Sequence, residues 1–307
     1  MIPTYDPYPE HTSGRRKFLT TLTSTVGMAL VPSLIFGGNE PASAPGMSVQ
    51  QVIDLILKEI PGAPFQQTVD TLKSGTGEQV VTGIVTTMFS TVEVIRKTAA
   101  VGSNFIIAHE PTFYGHTDET AWLETDSVYQ YKRELLNKHK IAVWRFHDYW
   151  HTHRPDGVLM GVLTKMGWEK LYNAANPPMI NHAGITLGDL VTHSRKSLGI
   201  RQVRYIGDPA QTCKRIALIP GAAGGRAQMQ LLMKEKPDVL IVGEVHEWET
   251  AEYVRDAQAT GSRMSLIVLG HAESEEPGME WLVGWLSTRL KDIKVTHIAS
   301  GNPFREG

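Results

Sequence analysis

Residues 105–111 (Phe-Ile-Ile-Ala-His-Glu-Pro) form an apolar, strand-forming run that stops at His109 and Glu110, with Pro111 barring continuation of the ladder. The same layout recurs three times: residues 143–151 run into His147 and His151, residues 239–246 into Glu244 and His246, and residues 266–275 into His271 and Glu275. Adjacent residues of a regular strand point to opposite faces, but at an exit broken by proline both His109 and Glu110 can turn toward one space. His147 and His151 are four apart, as are His271 and Glu275, which puts each pair on one face of a helical turn. Neutral imidazole together with carboxylate suits Zn, Fe, Mn, Ni or Co, and the absence of thiolate argues against a purely structural zinc cage. The expectation is therefore one site holding two divalent metal ions through His109, Glu110, His147, His151, His271 and Glu275. Two such ions would acidify a shared water and polarise a substrate oxygen, which is the logic of two-metal hydrolases. Glu244 is expected to assist proton transfer. A glycine-rich turn at residues 221–226, in particular Gly224, Gly225 and Arg226, offers backbone N–H groups and charge to an anionic part of the substrate at a helix start. Trp150, beside His151, is expected to wall the site. His116, His153 and the other histidines lack a strand-end position and are read as ordinary residues.

The elements that position these residues alternate along the chain. Ser48 caps a helix over residues 47–60 with Val52, Ile53, Leu55, Ile56 and Ile60 at helical spacing, and Pro61-Gly62 ends it. A strand over residues 79–86 leads to a helix capped by Ser90, and then to the strand ending at His109. A helix over residues 126–140, with Val128, Tyr131, Leu135 and Leu136 on its apolar side, leads to the strand ending at His147. Further helices are expected over residues 158–166, 186–198 and 278–290, with strands over 215–220, 266–269 and 293–298. This alternation predicts an α/β fold of two lobes, with mostly parallel sheets and flanking helices. Residues 45–155 and 263–307 form the first lobe and 156–262 an inserted second lobe. Ligands of such sheets bind beyond the carboxyl ends of the strands, where the histidines and carboxylates lie.

The formal charge of −2 supplies no field to draw the chain onto nucleic acid, and the single Cys213 forms no internal disulfide. Nothing resembles a nucleophile elbow or a P-loop. Residues 13–19 (Ser-Gly-Arg-Arg-Lys-Phe-Leu), followed by a stretch without charge until Glu40 and by Ala42-Ser-Ala44, resemble a twin-arginine export signal built on Arg15 and Arg16. The resemblance implies a signal over residues 1–44, a periplasmic or otherwise exported protein, and no stable membrane anchor once the signal is cleaved.

The order strand-His-x-Pro, strand-His-x-x-x-ligand, glycine-rich strand end, Gly-Glu and Gly270-His-Ala-Glu-Ser-Glu275 resembles the Ngg-interacting-factor-three-like dinuclear-metal family, whose members often carry the label GTP cyclohydrolase I type 2 homologue. That resemblance implies two α/β lobes with the metals in the cleft between them, and a toroidal homo-hexamer. By the same resemblance His109, His147, His271 and Glu275 are ligands, while Glu110 stands where the family has a second His and His151 where it has Asp. The exchange conserves the number of imidazoles and carboxylates. The function expected is an exported, metal-dependent hydrolase of a small molecule, anionic or nucleotide-like. The alternative is a non-catalytic metal-binding or scaffold protein.

Overall fold

The computed structural model describes residues 46–305, so the twin-arginine motif lies outside the described residues. Two five-stranded sheets are flanked by helices, the mixed α/β architecture expected. The first sheet contains β1 (Leu72–Ser74), β2 (Ile84–Thr87), β3 (Phe105–Ala108), β4 (Ala142–Arg145) and β10 (Val295–His297), in the order β1-β4-β3-β2-β10. The second contains β5 (Met179–Thr186), β6 (Arg204–Ile206), β7 (Thr212–Ile219), β8 (Val239–Val242) and β9 (Ser265–Val268), in the order β5-β7-β8-β9-β6. The central strands of both are parallel, and antiparallel pairing is confined to β1, β5 and β6 at the edges. Buried on both faces, β2, β3, β4, β8 and β9 are short, wholly buried runs of the kind parallel sheets require.

Local chemistry sets most helix starts. Ser48 and Gln51 form a reciprocal capping box on α1 (Val49–Leu57), Asp126 caps α3 (Ser127–Lys138) and Thr186 caps α6 (Leu187–Leu198). The cap of α2 (Val92–Ala100) is Thr91 rather than Ser90, whose buried hydroxyl instead donates to Thr112. Helix α3 is rotated from the expected orientation: Tyr129, Lys132, Leu135 and Leu136 are buried, while Val128 and Tyr131 face solvent.

The expected return to the first lobe at residue 263 is corrected by strand pairing. The strand β9 is hydrogen-bonded to β8 and β6 and belongs to the second sheet, so the crossing falls after it. It is made by α9 (His271–Ser287), which begins seven residues before the expected 278 and carries Pro277 within it. Its first turn sits at the end of β9, while Met279, Leu282, Trp285 and Leu286 enter the core of the first sheet. Thr86 of β2 donates its hydroxyl to the Met279 carbonyl, fastening helix to sheet.

Helix α5 (Gly157–Met166) lies against α9 at backbone distance: a Cβ on Gly161 would overlap the Pro277 carbonyl, and one on Gly278 would come within 2.6 Å of the Val158 Cα. On its other side α5 gives Leu159, Val162, Leu163 and Met166 to the second core, so the two helices join the two hydrophobic cores. Among the described residues no helix is long and apolar enough to cross a membrane. Gly161→Ala is expected to destabilise the protein by about 1–3 kcal/mol through overpacking at this contact, measured by urea denaturation, with α9 and the residues on its first turn displaced.

Candidate metal centre

The parallel strands β3 and β4 end side by side, so the residues that follow them emerge together. The sheet ladder runs on for two residues past β3, since His109 N–H and Glu110 N–H donate to the Thr87 and Met88 carbonyls. This extension holds the two side chains at the rim of the sheet. After β4 the chain turns at His147 into the short helix α4 (Asp148–Thr152), which places His151 one turn above His147. Asp70 holds that turn from the loop before β1, its buried carboxylate accepting from the His147 and Tyr149 N–H groups at 2.8 Å each. From the other side, α9 presents His271 and Glu275 on consecutive turns, 3.0 Å apart from Nε2 to Oε2.

All six expected residues meet. The imidazole rings of His109, His147 and His151 lie 4.8–5.1 Å apart, centroid to centroid. His109 Nε2 is 3.4 Å from Glu275 Oε2, His151 Nε2 3.9 Å from Glu275 Oε1, and Glu110 Oε1 3.9 Å from His147 Nε2 and 3.3 Å from His271 Nε2. Two overlapping groups have ligand spacing: His109, His147 and His151, and His109, Glu110 and Glu275. The two groups share His109.

Each of the three histidines from the first lobe is oriented from behind. Nδ1 of His109 donates to the Phe146 carbonyl at 3.1 Å, Nδ1 of His147 bonds Asp148 at 2.9 Å and Nδ1 of His151 bonds Asp156 at 3.0 Å. Each therefore presents Nε2 inward, the arrangement by which proteins hold metal-binding imidazoles. Asp148 is itself fixed by the Thr68 hydroxyl and Val69 N–H, and Asp156 also caps α5. His109 Nε2 is buried without a hydrogen-bond partner and faces a buried carboxylate oxygen. With Nδ1 already donating, Nε2 of His109 points its lone pair at a carboxylate oxygen that accepts from His271, and the residues fit a metal ion there.

Glu110 is held by a second device. The fully buried Arg145 donates Nη2 to Glu110 Oε2 at 2.9 Å and Nε to the His109 carbonyl at 3.2 Å, and also bonds the His116 carbonyl. Asp118 lies 4.0 Å from Arg145 and 3.4 Å from Lys73, which balances the buried charge. One Glu110 oxygen is thus occupied and Oε1 alone is offered to the site. Glu275 packs against Gly221, where any Cβ would overlap its carboxylate, and the Gly221 N–H donates to Ser274 at 2.9 Å.

Other expected residues fall differently. Glu244 is half exposed, with Oε2 3.6 Å from His271 Nδ1, so it sits at the edge of the cluster. Gly224, Gly225 and Arg226 are not brought to an anion site: Gly225 at the start of α7 (Gly225–Glu235) abuts the carboxylate of Glu249, and the turn lines the cavity through Ala222 and Ala223. The chain's own negative charge thus stands where an anion was expected. Trp150 does not wall the site; it is fully buried among Phe146, His153, Trp281 and Trp285. His116 lines the cavity, its ring 6.0 Å from that of His147, whereas His153 is a core residue bonded to the Pro155 carbonyl at 2.6 Å. Asp70, Arg145 and Asp156 were not foreseen. Only Arg145 leaves a trace in the sequence, as a charge inside an otherwise apolar strand.

The cluster opens into a cavity of about 1530 Å³ lined mainly by apolar residues of both lobes. The chain matches the family described as Duf34/NIF3 (NGG1p interacting factor 3) over residues 47–303. It belongs to that family. A Clostridium perfringens protein named GTP cyclohydrolase 1 type 2 homolog is 25% identical over 244 residues, spanning 75% of this chain and 88% of the relative. Among solved structures, Staphylococcus aureus protein SA1388 has a TM-score of 0.69 at 22% identity, covering 85% of this chain and 99% of that one. A Bacillus cereus protein related to NIF3 has a TM-score of 0.66 at 15% identity, covering 86% and 100%. These structures share the two-sheet fold.

When no ion is bound, protons take the ion's place. Burial opposes charge on His271, but hydrogen bonds with Glu110 and Glu275 outweigh it and push its pKa up to about 10. Burial likewise opposes charge on His151, yet Asp156 and Glu275 raise it to about 8, while burial and the neighbouring His109 and His151 lower His147 to about 4. Burial tends to raise the Glu275 and Glu110 carboxyls, and the surrounding histidines more than reverse it. At pH 7 His271 and His151 therefore hold protons that an incoming ion must displace, whereas His147 holds none. Divalent-ion binding should release roughly one to two protons per chain and tighten as pH rises from about 6 to 9, read by calorimetry in buffers of different ionisation enthalpy. Arg145→Lys keeps the charge but lacks the forked geometry, and it should weaken ion binding about 10–100-fold with the fold retained, measured by competition against a chromophoric chelator.

Proposed function

We propose that this protein is a dinuclear metal-dependent hydrolase acting on a small molecule bound in the cleft between the two lobes. The observation that carries the reading is the convergence of three further Nε2 atoms and two carboxylates around the unpartnered Nε2 of His109, at the base of a large cavity. Divalent ions held there supply Lewis-acid polarisation of a substrate oxygen and acidify a water toward neutrality. His109, His147, His151 and Glu275 would hold the ions, with Glu110 adding one oxygen and His271 closing the second-lobe side. The orienting carboxylates Asp148 and Asp156 keep Nε2 of their histidines inward, which limits reorganisation during reaction. Glu244, half exposed and 3.6 Å from His271, would pass a proton between the cluster and solvent.

Export by the twin-arginine route is part of the same reading, supported by the Arg15-Arg16 motif and the uncharged stretch behind it. Assembly as a homo-hexamer rests on the family resemblance and is read by light scattering.

The test is to measure metal per chain in protein purified without an affinity tag and to screen phosphoesters, nucleotides and amides. About two ions per chain and turnover of at least one class are expected. His109→Ala and Glu275→Ala should each lower metal content to about one ion or fewer and reduce turnover at least about 100-fold. Full occupancy with no turnover on any class would favour the metal-binding or scaffold role, and metal content unchanged in both variants would refute the site.

A further inference from the structure

The cavity contains a cation that the metal centre does not use. Lys132, on the buried face of α3, lines the cavity with only 4% of its surface exposed. Its ammonium donates to the Thr112 carbonyl and lies over the rings of Phe113 and Tyr114, 5.8 and 5.2 Å from their centroids. Asp118, engaged with Lys73 and Arg145, favours its charge from a distance, but among the described residues no carboxylate lies within ion-pair distance of it. An ammonium has three N–H donors, so one carbonyl leaves capacity for a further acceptor. Burying a lysine in this state is costly, and burial lowers its pKa to about 8, so it remains mostly charged at neutral pH.

The rest of the lining limits what that acceptor can belong to. Phe89, Val92, Leu159, Tyr172, Leu218 and Ile219 make both walls apolar. The cavity volume of about 1530 Å³ exceeds the roughly 300–1,000 Å³ usual for small-ligand sites, so the body accommodated is bulky. Among the described residues, the only other Lys or Arg on the lining is Arg154, which is exposed and donates to the His151 and His153 carbonyls. The glycine-rich turn before α7 offers no phosphate cradle, because Gly225 abuts Glu249. Away from the metal cluster a polyphosphate would meet one buried cation between apolar walls, whereas a single acidic group is matched by it.

Building on the hydrolase reading, we infer that the substrate is an amphipathic monoanion, a bulky apolar body bearing one acidic group that Lys132 receives, and not a nucleoside triphosphate. The apolar body lies along the walls contributed by both lobes, which turns the bond to be cleaved toward the metal cluster. Lys132 is then a specificity determinant set apart from the ion-binding residues.

The experiment measures binding, not turnover, and so stands whether or not hydrolysis is found. Calorimetry on the Zn-loaded full chain compares 1-naphthylacetate, its neutral counterpart 1-naphthaleneacetamide, and GTP. The acid is expected to bind about tenfold tighter than the amide, and GTP no tighter than the acid. Lys132→Gln, which keeps an N–H donor for Thr112, should bring acid and amide within about twofold, and Lys132→Arg should restore the preference. A preference that persists in Lys132→Gln would show that the acid goes to the ions, and would overturn the inference. So would equal binding of acid and amide by the unaltered protein, or tightest binding of GTP. Should Lys132→Gln fail to fold, lysine 13Cε chemical shifts in the unaltered protein decide. Movement of the Lys132 resonance with the acid but not the amide supports the assignment, and equal response to both overturns it.

Discussion

Two buried acceptors face each other 3.4 Å apart at the centre of this molecule, Nε2 of His109 and Oε2 of Glu275. The carboxylate oxygen accepts from His271, but the lone pair of His109 has no donor, so the arrangement favours positive charge between the two. One acceptor follows a strand of the first sheet and the other rides on the helix that leaves the second. The demand for positive charge is therefore also a demand that the two layers keep a fixed spacing. Helix α9 meets it by joining the end of β9 to the core beneath β2, and the glycine contacts with α5 set how closely the layers approach.

The parts of this design that depend on neighbouring residues were legible in the sequence. The buried runs before His109 and His147, the four-residue spacing of His271 and Glu275, and the cap at Ser48 are local patterns, and the structure repeats them. What escaped depends on contacts between distant residues. The edge strands β1 and β6 are three residues long, and β5 carries an irregularity in its pairing with β7, so none shows a clean period. The allegiance of β9 to the second sheet is decided by which neighbour pairs with it. Pro277 marks a helix start in most contexts, but here α9 already runs through it, held by packing that offsets the lost hydrogen bond.

Among the site residues the same division holds. First-hand donors announce themselves because histidines and carboxylates after apolar runs are conspicuous. Asp70, Asp148 and Asp156 do not, because an aspartate near a turn or helix start is ordinary until the imidazole or N–H it serves is known. The expected anion site at Gly224, Gly225 and Arg226 failed for a related reason. A helix start invites negative charge, and the chain supplies its own in Glu249.

Asp156 has one oxygen on His151 and the other on the first N–H groups of α5. Helix α5 rests on α9, α9 carries Glu275, and Glu275 returns to within 3.9 Å of His151. These contacts close a ring through the protein, with no free end at which a disturbance can dissipate. A change at any member, whether the cap, the helix contact or the carboxylate, reaches the others from two directions. His151 and Asp156 therefore act as one unit, and a substitution at either disturbs both the imidazole and the helix start.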